Sequence, residues 1–128
     1  VFTALQTGQI DLTAWRMEPG QIPLAEANDD LTVVSVPDFG YYHLTFNIRR
    51  DPFGDRALRR ALTHAMDRER MVNVLLDGRG EVGNSVIAPV NAFWHDALVE
   101  RLDYDMDAAR AELEAAGYSW DSDGRLMR

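Results

Sequence analysis

Four acidic residues have the spacing of a calcium-binding loop. Asp103, Asp105, Asp107 and Glu114 stand at positions one, three, five and twelve of that pattern. The glycine that such a loop requires at position six is replaced by Ala108, and the run AARAEL (residues 108–113) favours a continuous helix. We therefore predict a helix here and no metal site.

The histidines, serines and glycines form no recognisable catalytic or cofactor pattern. His43, His64 and His95 lie far apart in the sequence, and none belongs to a two-histidine helical face. The serines lack the context of a nucleophile elbow, and the glycines at 78, 80 and 83 do not lead from a strand into a helix as phosphate loops do. We predict no catalytic residue, no cofactor and no enzymatic activity.

Composition excludes several classes of protein. The 128 residues suffice for one domain, and the chain contains no cysteine for disulfides or thiolate metal sites. Its formal charge of -8 repels phosphate backbones, which argues against a nucleic-acid partner. No run approaches the roughly 18 apolar residues of a membrane span.

Two aspartates in the segment from Asp51 to Met71 each have the position of a helix cap. Asp55 can begin one helix, with Arg59 as its partner one turn on, and Asp67 can begin another that Gly78 stops. The predicted buried residues are Leu58, Ala61, Leu62 and Ala65 in the first helix, and Met71, Val74 and Leu75 in the second. A single continuous helix with Asp67 exposed in its middle is the alternative.

Further helices are predicted from the residues that would cap or end them. Asp105 is a plausible cap for a helix over Met106 to Ala116 that closes at Gly117, which would let Tyr118 pack back on Leu113. Gly8 could likewise end a helix at the start of the chain, and residues 22–28 form at most a brief helix.

Three segments have strand-like composition. They are residues 10–14, Thr32 to Val36, and Tyr41 to Asn47. In the last, Tyr42, Leu44 and Phe46 share one face, while Tyr41, His43, Thr45 and Asn47 share the other. We predict a mixed α+β fold in which a small sheet, built from the second and third segments, is covered by helices.

Five stretches follow one another along nearly the whole chain. They are TGQIDL, FNIRRDPFGDRALRRALTHAMDRERMV, Gly78-Arg79-Gly80, IAP at residues 87–89, and YDMDAARAELEAAGY. Their order and spacing resemble those of the family 5 extracellular solute-binding proteins, which are the peptide, nickel and related binding components of ABC importers. The resemblance implies a fragment of a two-lobed fold of the periplasmic-binding-protein-like II type. Residues 1–39 would end a first-lobe segment and cross between lobes, and residues 40–128 would begin the second lobe.

The resemblance also implies a ligand-binding wall. In the family, the strand after the crossing helps to line the cleft between the lobes. The polar face predicted from the alternation in residues 41–47 lies on the same strand. By position, the implied ligand-binding residues are Asp38, Phe39, Gly40, Tyr41, His43 and Thr45. Thr45 stands where some peptide-binding members carry an acidic residue, so peptide is only the default solute.

The implied function is capture of a peptide or similar small solute and its delivery to an ABC permease in the membrane. This function implies an extracytoplasmic location, either periplasmic or lipid-anchored at the cell surface. The alternative is the ligand-sensing domain of a transcription regulator with the same fold, which a helix-turn-helix before Val1 would favour. Because the chain begins abruptly, we expect a fragment that exposes apolar surface and sheet edges and therefore self-associates.

Overall fold

The computed structural model describes residues 1–14 and 17–128. Helices α1, α2, α3, α4 and α5 span Phe2–Gln6, Ile22–Glu26, Arg56–His64, Arg68–Leu75 and Met106–Ala115, and a 3-10 helix spans Pro19–Gln21. Strands β1 (Ser119–Trp120) and β2 (Leu126–Met127) form an antiparallel hairpin that pairs Ser119 with Met127 and Trp120 with Leu126. No helix in the described part of the chain is long and apolar enough to cross a membrane.

The core lies where α3 packs against α5. The buried apolar residues here are Leu58, Ala61, Ala109 and Tyr118, and Ala25 on α2 is also buried. Small side chains on facing helices allow the two backbones to approach closely, and Leu58 and Tyr118 fill the remaining space. Of the stripe predicted for α3, Leu62 is half-buried, whereas Ala65 is exposed because it is the residue that ends the helix.

The two predicted caps are confirmed. Asp55 Oδ1 accepts a hydrogen bond from the Ala57 backbone N–H at 2.8 Å, and Asp67 Oδ1 accepts one from the Arg70 N–H at 2.9 Å. Between the helices, His64 uses its carbonyl to accept from the Asp105 N–H at 2.9 Å. The alternative of one continuous helix is therefore wrong, because α3 stops before α4 begins.

The predicted inward face of α4 is wrong. Met71, Val74 and Leu75 are 49%, 68% and 65% exposed. Val72 and Leu76, on another side of the helix, are half-buried instead, and a Cβ on Gly80 would lie 3.1 Å from Leu76 Cδ1 and 3.8 Å from Val72 Cγ1. The prediction failed because α4 carries apolar residues on both sides. The spacing of apolar residues alone therefore could not show which side is buried.

Glycines end α1 and α5 as predicted. Gly8 has φ +67° and Gly117 has φ +84°, a conformation that side chains with a Cβ rarely adopt. After α5, the Tyr118 N–H donates to Leu113 O and the Gly117 N–H to Glu114 O, both at 3.0 Å, which is the Schellman pattern. Asp105 caps the same helix through the Asp107 and Ala108 N–H groups, so the calcium-like spacing belongs to a continuous helix, as predicted.

The predicted strands are wrong in position. Residues 10–14, 32–36 and 41–47 carry no strand, and the sheet of the described chain is the β1–β2 hairpin instead. Alternation of apolar and polar residues describes what one strand would offer, whereas a sheet also needs a hydrogen-bonded partner. The α+β class is nevertheless confirmed, because helices combine with a small sheet.

Candidate functional site

The predicted ligand wall lies on a surface segment between Pro37 and Phe46. All six of its residues are exposed, with Phe39 66% and Tyr41 49% accessible. The rings of Tyr41 and His43 lie together, with their centroids 5.3 Å apart and their planes inclined at 51°. This pairing of residues two apart brings two of the six side chains into contact at a surface that a ligand could reach.

An open hollow begins at the end of this segment. It has a volume of about 610 Å³ and is lined by Leu44, Thr45, Phe46, Asn47, Arg50, Asp51, Phe53 and Leu62. Phe46 and Phe53, which both line it, are in contact with ring centroids 5.8 Å apart. Of the predicted wall, only Thr45 lines the hollow, so the structure does not bring all six predicted residues to one concave site.

Two of the three histidines hold loops together. His64 Nδ1 lies 2.7 Å from the carbonyl oxygen of Asp103, and His95 Nδ1 lies 2.8 Å from that of Ile87. Each contact requires a proton on Nδ1, which makes the ring a donor to the backbone. In residues 1–14 and 17–128, no three His, Asp or Glu side chains are grouped so that they could hold a metal ion.

Sequence reasoning missed the partners of Asp55. Its Oδ2 accepts a hydrogen bond from the Tyr118 hydroxyl at 3.0 Å and pairs with Arg128 Nη1 at 3.0 Å. The predicted partner, Arg59, instead donates Nη1 to the carbonyl oxygens of Phe53 at 2.8 Å and Gly54 at 3.0 Å. Tyr118 and Arg128 are distant in sequence, so no local pattern could have revealed them.

These contacts change the pKa values of both acidic groups. The Ala57 N–H and then the Tyr118 hydroxyl hold the pKa of Asp55 below its usual value, because both hydrogen bonds favour the carboxylate. Burial, followed by the hydrogen bond to Asp55, raises the pKa of Tyr118 because both disfavour the phenolate. Asp55 is therefore charged and Tyr118 neutral at physiological pH.

Arg60 joins three parts of the chain. Its Nη1 and Nη2 each lie 2.9 Å from a carboxylate oxygen of Glu100, and its Nε lies 2.6 Å from Glu112 Oε1 on α5. The hydrogen bonds from Arg60 lower the pKa of Glu100. This fork geometry is the one in which Arg binds carboxylates most firmly, so it fixes the 100 region to the α3–α5 pair.

Arg68 joins the two ends of a long loop. Its Nη1 donates to Gly83 O at 3.0 Å and its Nη2 donates to Leu102 O. Asn84 also joins the two ends, because its Nδ2 donates a hydrogen bond to Val99 O at 3.2 Å. The loop over residues 84–99 is thus closed at its base by polar contacts, as in compact surface loops.

Comparison with known proteins defines the class to which this scaffold belongs. Residues 1–127 match the model of the family described as "Bacterial extracellular solute-binding proteins, family 5 Middle". The chain therefore belongs to the family 5 extracellular solute-binding proteins, and the resemblance inferred from five sequence stretches is confirmed.

Individual relatives are peptide-binding and glutathione-binding proteins. The chain is 31% identical over 117 residues to the oligopeptide-binding protein AppA of Bacillus subtilis, which covers 89% of this chain and 21% of that protein. It is 28% identical over 114 residues to the glutathione-binding protein GsiB of Shigella flexneri, covering 89% and 22%. The chain thus spans about a fifth of the length of these relatives.

A solved structure shows the same arrangement. The structure of AppA from Bacillus subtilis in complex with a nonapeptide matches this chain with a TM-score of 0.81 and 29% identity. The match covers 99% of this chain and 25% of that chain. This confirms the predicted fold, since the helices and hairpin correspond to a portion of a solute-binding fold.

Proposed function

We propose that this chain is part of a protein that binds a peptide or similar small solute for an ABC importer. Such a protein captures the solute in a cleft between two lobes and delivers it to a membrane permease. The observation that carries the proposal is the fold match to AppA over 99% of the chain, because AppA was solved with a nonapeptide. The glutathione-binding relative also acts on a small peptide-like solute.

We assign residues 1–39 to the end of a first-lobe segment and the crossing between lobes, and residues 40–128 to the first part of the second lobe. The dense contacts of the chain support this division. The ion pairs of Arg60, the α3–α5 core and the Asp55 contacts all lie within residues 40–128. Arg79 and Glu26, whose Nη2 and Oε1 are 3.0 Å apart, link the two parts.

The proposed solute wall is Asp38, Phe39, Gly40, Tyr41, His43 and Thr45. The exposed Tyr41–His43 ring pair supports it, because adjacent rings can stack on an apolar side chain while their polar atoms bind a peptide group. Closure of the opposing lobe over this wall would exclude water and strengthen those hydrogen bonds.

The test is calorimetry on the complete two-lobed protein with peptides of increasing length. We expect Tyr41→Ala and His43→Ala each to weaken binding by about 1–3 kcal/mol, because a buried partner on the solute loses its hydrogen bond. Asp67→Ala is the control, and should cost about 1 kcal/mol of stability while leaving affinity unchanged. Unchanged affinity in both ring variants would disprove the placement of the wall, and no binding of any peptide would disprove the solute class.

The same proposal covers activity and location. The relatives described above are binding proteins, so we infer solute binding without catalysis, and the family description supports an extracytoplasmic site of action. None of those relatives is a transcription regulator, so no observation favours the ligand-sensing alternative.

We further propose that the isolated chain self-associates. A folded monomer of 14.5 kDa exposes about 6,900 Å², whereas this chain exposes 10201 Å², with many large apolar side chains at the surface. Stable protein interfaces bury about 1,200–2,000 Å² in total. The excess surface is therefore large enough to supply such an interface, and apolar patches of this kind are usually covered by protein.

A further inference from the structure

An ion pair joins the two parts of the chain that we assign to different lobes. Arg79 Nη2 lies 3.0 Å from Glu26 Oε1 and 3.1 Å from Glu26 Oε2, so one guanidinium nitrogen binds both carboxylate oxygens. The ion pairs of Arg60 and Arg101, by contrast, stay within residues 40–128. The contact between Glu26 and Arg79 therefore depends on how the two parts are placed relative to each other.

Both charged groups are carried by ordered helix ends. Glu26 is the last residue of α2, where the Ala27 N–H donates to Pro23 O at 3.0 Å. Arg79 follows α4, and its own N–H donates to Leu76 O at 2.9 Å. The side chains of Arg79 and Glu26 are 32% and 45% exposed, so water and salt reach the pair. Because a different helix end holds each charge, a separation of the two helices would break the contact.

We propose that the Glu26–Arg79 pair stabilises the closed arrangement of the two lobes and thereby raises the affinity of the complete protein for its solute. This rests on the solute-binding function and the division into lobes proposed above. The closed arrangement is indicated because the AppA structure, which matches 99% of this chain, was solved in complex with a nonapeptide. A match of that extent includes both parts of the chain, so the pair is formed in an arrangement similar to that of a peptide-bound relative.

The energetic effect of the pair follows from the motion of the lobes. Rotation about the crossing separates surfaces that meet when the cleft closes, and an ion pair formed only on closure favours the closed molecules. Exposed ion pairs contribute modestly, so loss of this one should lower the ratio of closed to open molecules about two- to fivefold. Where the open form dominates without solute, the apparent affinity falls by the same factor.

A charge exchange in the complete two-lobed protein tests the proposal. One dye on each lobe reports the closed fraction by single-molecule energy transfer without solute, and calorimetry measures affinity for the peptide series described above. Glu26→Arg and Arg79→Glu each place like charges together, so each should lower the closed fraction and the affinity at least about twofold. The double variant restores an ion pair and should recover both quantities. The effect of each single variant should shrink in about 1 M NaCl, where the Debye length is about 3 Å.

Glu69→Arg is the matched control, since it makes the same substitution at another exposed ion pair. Glu69 Oε1 lies 2.8 Å from Arg101 Nη2 within the second-lobe part, so this variant should keep the wild-type closed fraction and affinity.

The outcomes separate this proposal from the proposed function. If peptides bind the wild type and both single variants equally and the closed fractions agree, the solute-binding function stands and the role of the pair is overturned. A double variant that recovers neither quantity, or single variants that close more readily, also overturns it. If no peptide binds while the closed fraction still follows the charges, the solute class is wrong and the role of the pair in closure is supported.

Discussion

At the scale of single residues, Asp55 connects local and distant parts of the molecule. Its role as a helix cap could be predicted, because a cap depends on the residue and the next few positions. Its contacts with Tyr118 and Arg128 could not, because they are made only after α3 and the hairpin have come together. The prediction that Arg59 pairs with Asp55 was wrong for a related reason. Spacing shows only which side chains can meet, and Arg59 binds nearby backbone carbonyls instead.

Asp55→Asn should change how stability depends on pH. The pKa of Asp55 is lowered by folding, so its contribution to stability is present above the unfolded value near 3.8 and is lost as pH falls through the folded value. Urea unfolding between pH 2 and 7 should therefore show a shallower acid decline for Asp55→Asn than for the wild type. Asp67→Asn, which replaces one capping side chain by another at a position with no distant partner, is the matched control. Equal slopes for Asp55→Asn and the wild type would contradict this role.

At the scale of elements, helices were predictable and strands were not. The cap, the apolar spacing and the terminal glycine of a helix all lie within about ten residues of sequence. The bounds of α3, α4 and α5 agree closely with those predicted from these signals. The predicted strand from Tyr41 to Asn47 failed because alternation cannot supply a partner, and the inner side of α4 was misjudged because both sides are apolar. The hairpin was missed because its strands are two residues long.

Arg68 provides a test of how α4 supports the neighbouring loop. Lysine keeps the charge but cannot reach two carbonyls with one planar fork, so Arg68→Lys should leave Gly83 or Leu102 unpaired and cost about 1–2 kcal/mol. Hydrogen exchange should then accelerate in residues 83–102, with little change in α5. Arg110→Lys serves as the control at an exposed position. Unchanged exchange in the loop would show that Asn84 and His95 suffice to hold it.

At the scale of the whole molecule, we propose that the binding wall is one side of an enclosed site. The ring pair of Tyr41 and His43 and the hollow beside Thr45 both open to solvent in this chain. The alternation of apolar and polar residues predicted that one face of this segment meets water or a ligand. The family resemblance favoured the ligand. What local patterns lacked was the opposing surface, since a cleft is formed by chain segments far apart in sequence.

The isolated chain should bind peptide much more weakly than the complete protein. Water competes for every hydrogen bond at an open wall, so we expect an affinity at least about a hundredfold lower, or roughly 2.7 kcal/mol. Calorimetry with one peptide on both proteins measures the difference. The isolated chain must be studied below the concentration at which it associates. Equal affinities would show that a single wall carries the site.

The packing of α3 on α5 sets the order in which this chain can acquire structure. Each helix is shorter than the length at which isolated helices persist in water, so neither is stable before the other arrives. Joining them closes a loop of roughly forty residues, at an entropic cost of about 3 kcal/mol. Ala61, Ala109 and the Arg60–Glu112 contact compensate for that cost only once both helices are in place. We therefore expect helix formation and long-range contact to occur in one cooperative step, which also brings together the two ends of the loop over residues 84–99.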